Sequence, residues 1–190
     1  MNHAIPIPIT MSANPAKNRV LVLGLGNTLL TDDGVGVHVA RQLGCDPATP
    51  NWIQPLDGGT LGFRLLGTLS RADAVLIIDA AQLGAPAGTI RLFDRDELVR
   101  HIGRSDRSSA HEAGLADLLT LARLESFRPK YLALLGIQPQ TIDWGETLSP
   151  PVAAAALAAR QLAVSTGQAW VSALRGISIS SPMTGWWMQS

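Results

Sequence analysis

The chain has 190 residues, of which 46% are hydrophobic and 16% are charged, and its formal net charge is +0. This length and apolar content predict one domain with one sizeable core, since typical domains have roughly 100–200 residues. The balance of 15 Lys and Arg against 15 Asp and Glu, with no basic stripe, argues against a nucleic-acid partner.

Residues 1–18 contain three prolines and no regular apolar pattern, and we expect them to form a flexible leader. The following part of the chain alternates between short apolar runs and segments with helical spacing of apolar residues. The apolar runs predict strands near 20–25, 52–57, 74–79, 89–94 and 130–136. The helical spacing predicts helices at 35–43, 60–69, 111–124 and 149–164. We expect one domain over 19–175 and a C-terminal tail over 176–190.

Strands that alternate with helices predict an α/β fold with a mainly parallel, doubly wound sheet. The nearly continuous apolar runs at 20–25 and 74–79 are typical of strands buried on both faces. Pro55 has no N–H to donate, which favours an edge position for the second strand. The linker "AAQLGAPAG" before the fourth strand is too short for a helical crossover, so this strand should be antiparallel.

Ligands of open parallel sheets bind beyond the carboxyl ends of the strands. The residues that follow the strands are therefore candidates for a site. These residues are Asp32 and Asp33 after the first strand, Asp57 after the second, Asp79 after the third, and "GIQPQ" after the fifth. The aspartates should make this edge of the sheet negative.

The first turn, "LGLGNTLLTDDG", partly matches a dinucleotide-binding fingerprint. Gly24 and Gly26 match the first two glycines of G-x-G-x-x-G, but Leu29 stands at the third, and Asp57, at the second strand, lies much later than the ribose-binding acid expected at about 20 residues. Two adjacent aspartates would also repel a pyrophosphate. A dinucleotide-binding domain is therefore a weak alternative, and a tight strand-to-helix turn explains the glycines.

Three titratable residues can converge at this edge. Asp33 precedes a helix, where Asp is a favoured N-cap, so capping is one expectation for it. Asp79 ends a strand that should be buried, where a carboxylate without a cation or donors is costly. His111 opens the predicted helix 111–124. Two carboxylates and an imidazole suit a divalent cation such as Zn²⁺ or Ni²⁺.

Other features indicate a cytoplasmic protein without a membrane partner. Cys45 is the single cysteine and cannot form an internal disulfide, which favours a reducing compartment. The N-terminus lacks the charged and apolar regions of a signal peptide, and no run of about 18 apolar residues is present. We expect Cys45 to be a packed or surface thiol and His38 to lie on the flank of the first helix.

Five segments of the chain resemble the maturation endopeptidases of nickel–iron hydrogenases. In the family's order, they are "LGLGNTLLTDDGVGVHVARQL", "LDGGTLGFRLLG", "LIIDAAQLGAPAGTIR", "SAHEAGLADLL" and "LLGIQPQTIDWGETLSP". The resemblance covers roughly residues 19–164 and finds no counterpart for the leader or the tail. It implies a single α/β domain around a twisted, mainly parallel five-stranded sheet with helices on both faces. It also implies an enzyme that removes a C-terminal extension from the hydrogenase large-subunit precursor after nickel insertion.

The resemblance implies roles for particular residues. Asp33 of "DDG", Asp79 of "LIIDA" and the helix-start His111 would contact nickel, which the precursor supplies, and the two aspartates would be catalytic. The box "DGGT" would recognise the substrate through Asp57, Gly58, Gly59 and Thr60. A non-enzymatic maturation chaperone that binds nickel or the precursor through the same residues stays open. So does the choice between a metal that activates water and an Asp that acts as general base.

Overall fold

The computed structural model describes residues 19–60, 66–69, 71–104 and 129–177. The strands are β1 (Val20–Leu25), β2 (Ile53–Gly59), β3 (Ala74–Ala80), β4 (Ile90–Phe93) and β5 (Tyr131–Ile137). The helices are a 3-10 helix (Thr31–Gly34), α1 (Val35–Cys45), α2 (Leu66–Leu69), α3 (Arg95–Arg104) and α4 (Pro150–Leu174). The predicted leader, the predicted helix 111–124 with His111, and the tail from residue 178 lie outside the described residues.

The five strands form one mixed sheet in the order β2-β1-β3-β5-β4. The three pairs among β2, β1, β3 and β5 are parallel, and β4 runs antiparallel to β5. This arrangement confirms the predicted α/β class with its mainly parallel sheet and its one antiparallel strand. Within the described sheet β2 lies at an edge, as Pro55 predicts, because the ladder there needs no donor from proline.

The sheet has a hydrophobic layer on each face. Side chains alternate along each strand, so Val22 and Leu76 face α1 and α4, whereas Leu23 and Ile77 lie in the cluster that includes Leu98 of α3. Because β1 and β3 are central strands covered on both faces, nearly all of their residues are buried. The continuous apolar runs in the sequence reflect this double coverage.

Two helices differ from the prediction. The sequence did not lead us to predict helix α3, because half of the residues in "RDELVRHIGR" are charged. Its start carries a capping box, in which the Glu97 N–H donates to Asp94 Oδ1 (2.8 Å) and the Asp94 N–H donates to Glu97 Oε2 (3.2 Å). Helix α4 continues to Leu174 rather than ending near residue 164. Of the predicted helix 60–69, the structure describes helix only at Leu66–Leu69.

No helix in the described parts of the chain is both long and apolar enough to cross a membrane.

Candidate active site at the carboxyl edge of the sheet

The first turn of α1 packs directly on the ends of β1 and β3. A Cβ added to Gly36 would lie 2.0 Å from the Ile78 carbonyl oxygen and 2.5 Å from that of Leu25, so only glycine permits this approach. Asp33 lies three residues before Gly36, and Asp79 directly follows Ile78. The packing therefore brings both aspartates to the same edge of the sheet.

The turn after β1 folds back on itself. Gly26 has a φ of +128°, and a Cβ there would lie 1.9 Å from the Asp33 carbonyl oxygen. The Asn27 N–H donates to the Asp33 carboxylate at 2.9 Å. In a dinucleotide-binding protein, N–H groups of this turn would face a phosphate. Here a carboxylate of the chain itself accepts from the turn, which counts against the dinucleotide alternative.

Asp33 is buried, but it is not a helix cap. The 3-10 helix intervenes between the turn and α1, so Gly34 is the N-cap residue of α1 and Leu30 that of the 3-10 helix. Neither of these two described helices has a side-chain hydrogen bond at its cap. The expectation that Asp33 caps the helix is therefore wrong, because its carboxylate turns back toward Asn27.

Asp79 is a buried carboxylate near the end of a central strand. Its Oδ1 accepts a hydrogen bond from the Ala80 N–H at 2.9 Å, and its neighbour on β5 is Gly136. The backbone donor fixes the carboxylate at the point where β3 leaves the sheet. This position agrees with the expectation that a carboxylate here needs donors or a cation.

Asp32 is fully buried and binds the loop that follows β5. It accepts hydrogen bonds from the backbone N–H groups of Gln140 (2.9 Å), Thr141 (3.0 Å) and Ser149 (2.7 Å), and from the Ser149 hydroxyl (2.8 Å). Burial alone would raise the pKa of Asp32, but these hydrogen bonds outweigh it and hold the pKa below its ordinary value. Sequence reasoning gave Asp32 no such role, because its partners are more than 100 residues away.

The loop after β1 (27–34) and the loop after β5 (138–149), here called the paired loops, also bond to each other directly. Leu30 and Gly145 form a parallel bridge, with the Thr31 N–H donating to the Gly145 carbonyl (2.6 Å) and the Gly145 N–H to that of Leu29 (3.0 Å). The Thr31 hydroxyl donates to the Thr141 carbonyl at 3.0 Å. Because β1 and β5 flank β3, the paired loops border the end of β3 that carries Asp79.

Gln138 ties a third connection to the same edge. Its Oε1 accepts from the Leu83 N–H at 2.7 Å, and its Nε2 donates to the Gln82 side chain at 3.0 Å. The link after β3 is therefore fixed to the start of the loop after β5. Gln138 belongs to the "GIQPQ" segment, whose position after a buried strand was the sequence signal for it.

The "DGGT" box lies at the same edge, but Asp57 is inside β2 rather than after it. The strand extends through Gly59, with a register shift opposite Gly24 and Leu25, and only Thr60 follows it. Asp57 forms a salt bridge with Arg41 at 2.8 Å and accepts from the Gly59 N–H at 3.0 Å. Asp57 was expected to add negative charge to the edge, and the salt bridge with Arg41 offsets this charge.

The implied third metal ligand, His111, lies outside the described residues. Within those residues, no group of three or more His, Cys, Asp or Glu side chains is placed to hold a metal ion. Asp33 and Asp79 supply two carboxylates, and a complete coordination sphere for a metal ion requires further ligands. Cys45 is exposed at the end of α1 away from this edge, as expected for a surface thiol.

His38 lies partly buried on α1. Its Nε2 is buried and has no hydrogen-bond partner among the described residues. Burial, together with the nearby positive charge of Arg41, lowers the pKa of His38. These observations fit the expected place on a helix flank and give His38 no role in the site.

Comparison with known proteins identifies the group of proteins that this chain resembles. The family model for HycI, described as hydrogenase maturation protease, matches residues 37–166. The hydrogenase expression/formation protein HupD of Bradyrhizobium diazoefficiens is 38% identical over 143 residues, which cover 75% of this chain and 74% of HupD. The hydrogenase 2 maturation protease of Escherichia coli is 39% identical over 138 residues, which cover 72% and 82% of the two chains.

A solved structure of a hydrogenase maturation protease is also similar to this chain. The hydrogenase maturating endopeptidase HybD from Escherichia coli superposes with a TM-score of 0.73 at 33% sequence identity, covering 80% of this chain and 93% of HybD. The likeness therefore extends over most of both chains.

Proposed function

Since the chain belongs to the hydrogenase maturation protease family, we propose that it is the endopeptidase that removes the C-terminal extension of a nickel–iron hydrogenase large-subunit precursor. In this proposal, cleavage follows nickel insertion, and the enzyme recognises the nickel already bound in its substrate. The observation that carries the proposal is the pair of buried carboxylates at one edge of the sheet, Asp33 in the loop after β1 and Asp79 near the end of the neighbouring parallel strand β3.

Nickel enters this site as part of the substrate. Asp33 and Asp79 would offer carboxylate oxygens, and His111 would offer an imidazole nitrogen, which together suit a borderline divalent cation. The hydrogen bonds from Asn27 to Asp33 and from Ala80 to Asp79 orient the two carboxylates before substrate arrives. The remaining coordination positions would be filled by ligands of the precursor.

Hydrolysis of the scissile peptide bond needs an activated water and a stabilised carbonyl oxygen. One route uses the nickel of the precursor to polarise the carbonyl or to activate the water. The other uses one of the two aspartates as general base, while nickel positions the substrate. In either route the burial of Asp33 and Asp79 strengthens their electrostatic effect, because little water screens them.

The "DGGT" box is proposed to recognise the peptide that leads to the scissile bond. Gly59 has a φ of +47°, and a Cβ there would meet only the Asp57 carboxylate, at 3.8 Å, so a substrate backbone can approach this end of β2 closely. Gly58 is buried and packs against Leu23 and Leu25, so it supports the box from inside. The salt bridge from Arg41 to Asp57 and the hydrogen bond from Gly59 to Asp57 hold the box in shape. Recognition by this box would therefore act through its backbone more than through charge.

The proposal is tested by incubating the full chain with a nickel-loaded precursor and recording the precursor mass over time. The expected result is loss of the mass of the C-terminal extension, and Asp79→Asn serves as the matched inactive control. Stable binding with no mass loss would contradict the proposal and support the chaperone alternative.

A further inference from the structure

The paired loops expose large apolar side chains. Leu29 is 50% exposed, Ile142 is 47% exposed and Trp144 is 80% exposed. Exposed apolar residues are common when scattered singly, but a group of them on adjoining segments marks an interaction surface. Leu29 and Trp144 each directly precede a partner of the Leu30–Gly145 bridge, so they lie side by side in register. Leu29, Ile142 and Trp144 are called the loop platform below.

The backbone of the loop platform is fixed before any partner binds. The Trp144 N–H donates to Asp143 Oδ1 at 2.7 Å, and the next residue, Gly145, bonds to the loop after β1 in both directions. Asp32 holds both ends of the loop after β5 through Gln140 and Ser149. A surface ordered in this way loses little conformational entropy on binding, which favours affinity.

The loop platform adjoins the candidate active site. The loops that carry it leave β1 and β5, the two neighbours of β3 in the sheet. Asp33 belongs to one of these loops, and Asp79 lies at the end of β3 between them. A folded substrate whose peptide reaches the two aspartates would therefore have part of its surface next to the platform.

The rim of the loop platform is acidic. Asp143 and Glu146 are exposed on either side of Trp144. The segments 27–34 and 138–149 contain no Lys or Arg. A complementary surface is therefore apolar at its centre and carries Lys or Arg at its rim.

We infer that the loop platform docks the folded body of the precursor, on an apolar surface with a basic rim next to the C-terminal extension. The inference rests on the proposed function, because the precursor is the substrate assigned there. Trp144 is the central contact, since tryptophan is among the residues that dominate binding energy at interfaces. The platform sets the affinity for the precursor and leaves the chemical step to the aspartates.

The test compares Trp144→Ala with Leu157→Ala in the full-length protein. Leu157 is a matched control, because it is 57% exposed on α4 and lies outside the paired loops. For Trp144→Ala, we expect the Kd and the KM for nickel-loaded precursor to rise by about tenfold or more, while kcat stays within about twofold. Leu157→Ala should leave all three values unchanged. As a separate single substitution, Glu146→Lys should also weaken precursor binding, because it places a positive charge opposite the basic rim. This effect should be larger at low salt, where charges are screened less.

The outcomes separate this inference from the proposed function. If the unsubstituted protein binds and cleaves the precursor and Trp144→Ala does the same with equal constants, the platform has no docking role. If binding depends on Trp144 but the unsubstituted protein cleaves no precursor, the docking role of the platform is supported and the proposed endopeptidase activity is contradicted. A free chain that is dimeric, and becomes monomeric with Trp144→Ala, would assign the platform to a second copy and overturn the inference.

Discussion

Asp32 and Ser149 are hydrogen-bonded twice, through the backbone N–H (2.7 Å) and the hydroxyl (2.8 Å) of the serine. Ser149 is the N-cap residue of α4, yet in the described structure its hydroxyl bonds to Asp32 instead of capping its own helix. The Asp32 carboxylate therefore sits at the positive end of a 25-residue helix. This contact joins the turn that carries Asp33 to the start of α4.

Asp32→Asn should destabilise the fold. An amide in place of the carboxylate removes the charge that accepts four hydrogen bonds and can point its NH₂ group at donors. We expect a loss of about 2–3 kcal/mol in the free energy of unfolding, measured by urea denaturation. Asp46→Asn is the control, because the Asp46–Arg160 pair lies near the surface and should contribute less than about 1 kcal/mol. Equal stability of the two variants would contradict the role of Asp32.

The free energy of unfolding should decrease at low pH because Asp32 becomes protonated. Its pKa is lowered in the folded state, so the unfolded chain takes up a proton first as pH falls. Its contribution is complete above the pKa of an unfolded Asp, about 3.9, and is lost as pH falls through the lower folded value. Urea midpoints between about pH 6 and pH 2 measure this loss. Ser149→Ala removes a donor to Asp32 and should flatten the decline, whereas an unchanged slope would contradict this account.

Sequence patterns predicted the sheet well because its determinants are local. Pro55 marked the edge strand, the short linker before β4 marked the antiparallel pair, and the apolar run before Asp79 marked a buried strand. The same reasoning did not predict α3, since its apolar stripe consists of only Leu98, Val99 and Ile102 among charged residues, although this stripe and the Asp94–Glu97 capping box both mark a helix. Periodicity therefore identifies elements that bury a continuous face.

The candidate site was less predictable, since its geometry depends on contacts between distant parts of the chain. The interpretation of Asp33 as a cap was wrong because a 3-10 helix precedes α1. The loop containing that helix is bonded to the loop after β5, and the bond from Gln140 to Asp32 spans 108 residues. No local pattern encodes such a pairing. The position of Asp57 shifted for a related reason, namely a register irregularity between β1 and β2.

Gly36→Ala should separate α1 from the sheet. The added Cβ would lie 2.0 Å from the Ile78 carbonyl oxygen, and backbone cannot move aside as a flexible side chain can. We expect a loss of about 3 kcal/mol or more in the free energy of unfolding, together with slower precursor processing. Gly44→Ala on the same helix is the control, because nothing lies within 4 Å of its added Cβ. That variant should gain about 0.5–1 kcal/mol, and a similar loss in both variants would contradict the tight packing at Gly36.

Asp33→Asn should separate chemistry from stability. Asparagine keeps an oxygen that can accept from the Asn27 N–H, so the free energy of unfolding should fall by only about 1 kcal/mol. The negative charge is lost, and we expect the rate of precursor cleavage to fall by about a hundredfold or more. Mass spectrometry of the precursor and urea denaturation of the variant measure the two effects. Normal processing by Asp33→Asn would remove this residue from the proposed site.

Nickel in the precursor should control whether cleavage occurs. Arg41 pairs with Asp57, and four hydrogen bonds occupy the carboxylate of Asp32, so the aspartates proposed to attract a cation at the sheet edge are the buried Asp33 and Asp79. Buried carboxylates gain most from a cation that approaches closely, and a peptide without metal brings none. The enzyme would therefore sense nickel by sharing its coordination with the precursor.

A side-by-side digestion tests this control, with metal-free and nickel-loaded precursor at the same concentration. We expect cleavage of the loaded precursor alone, and no cleavage of peptides that copy only the extension, because such peptides carry neither the metal nor the folded surface around it. Asp79→Asn should cleave neither form, since it leaves one carboxylate where the proposed contact needs two. Equal cleavage of both precursors would show that nickel is not the recognition element. Asp33 and Asp79 would then act as a general acid and a general base, and their carboxylates would transfer protons instead of contacting nickel.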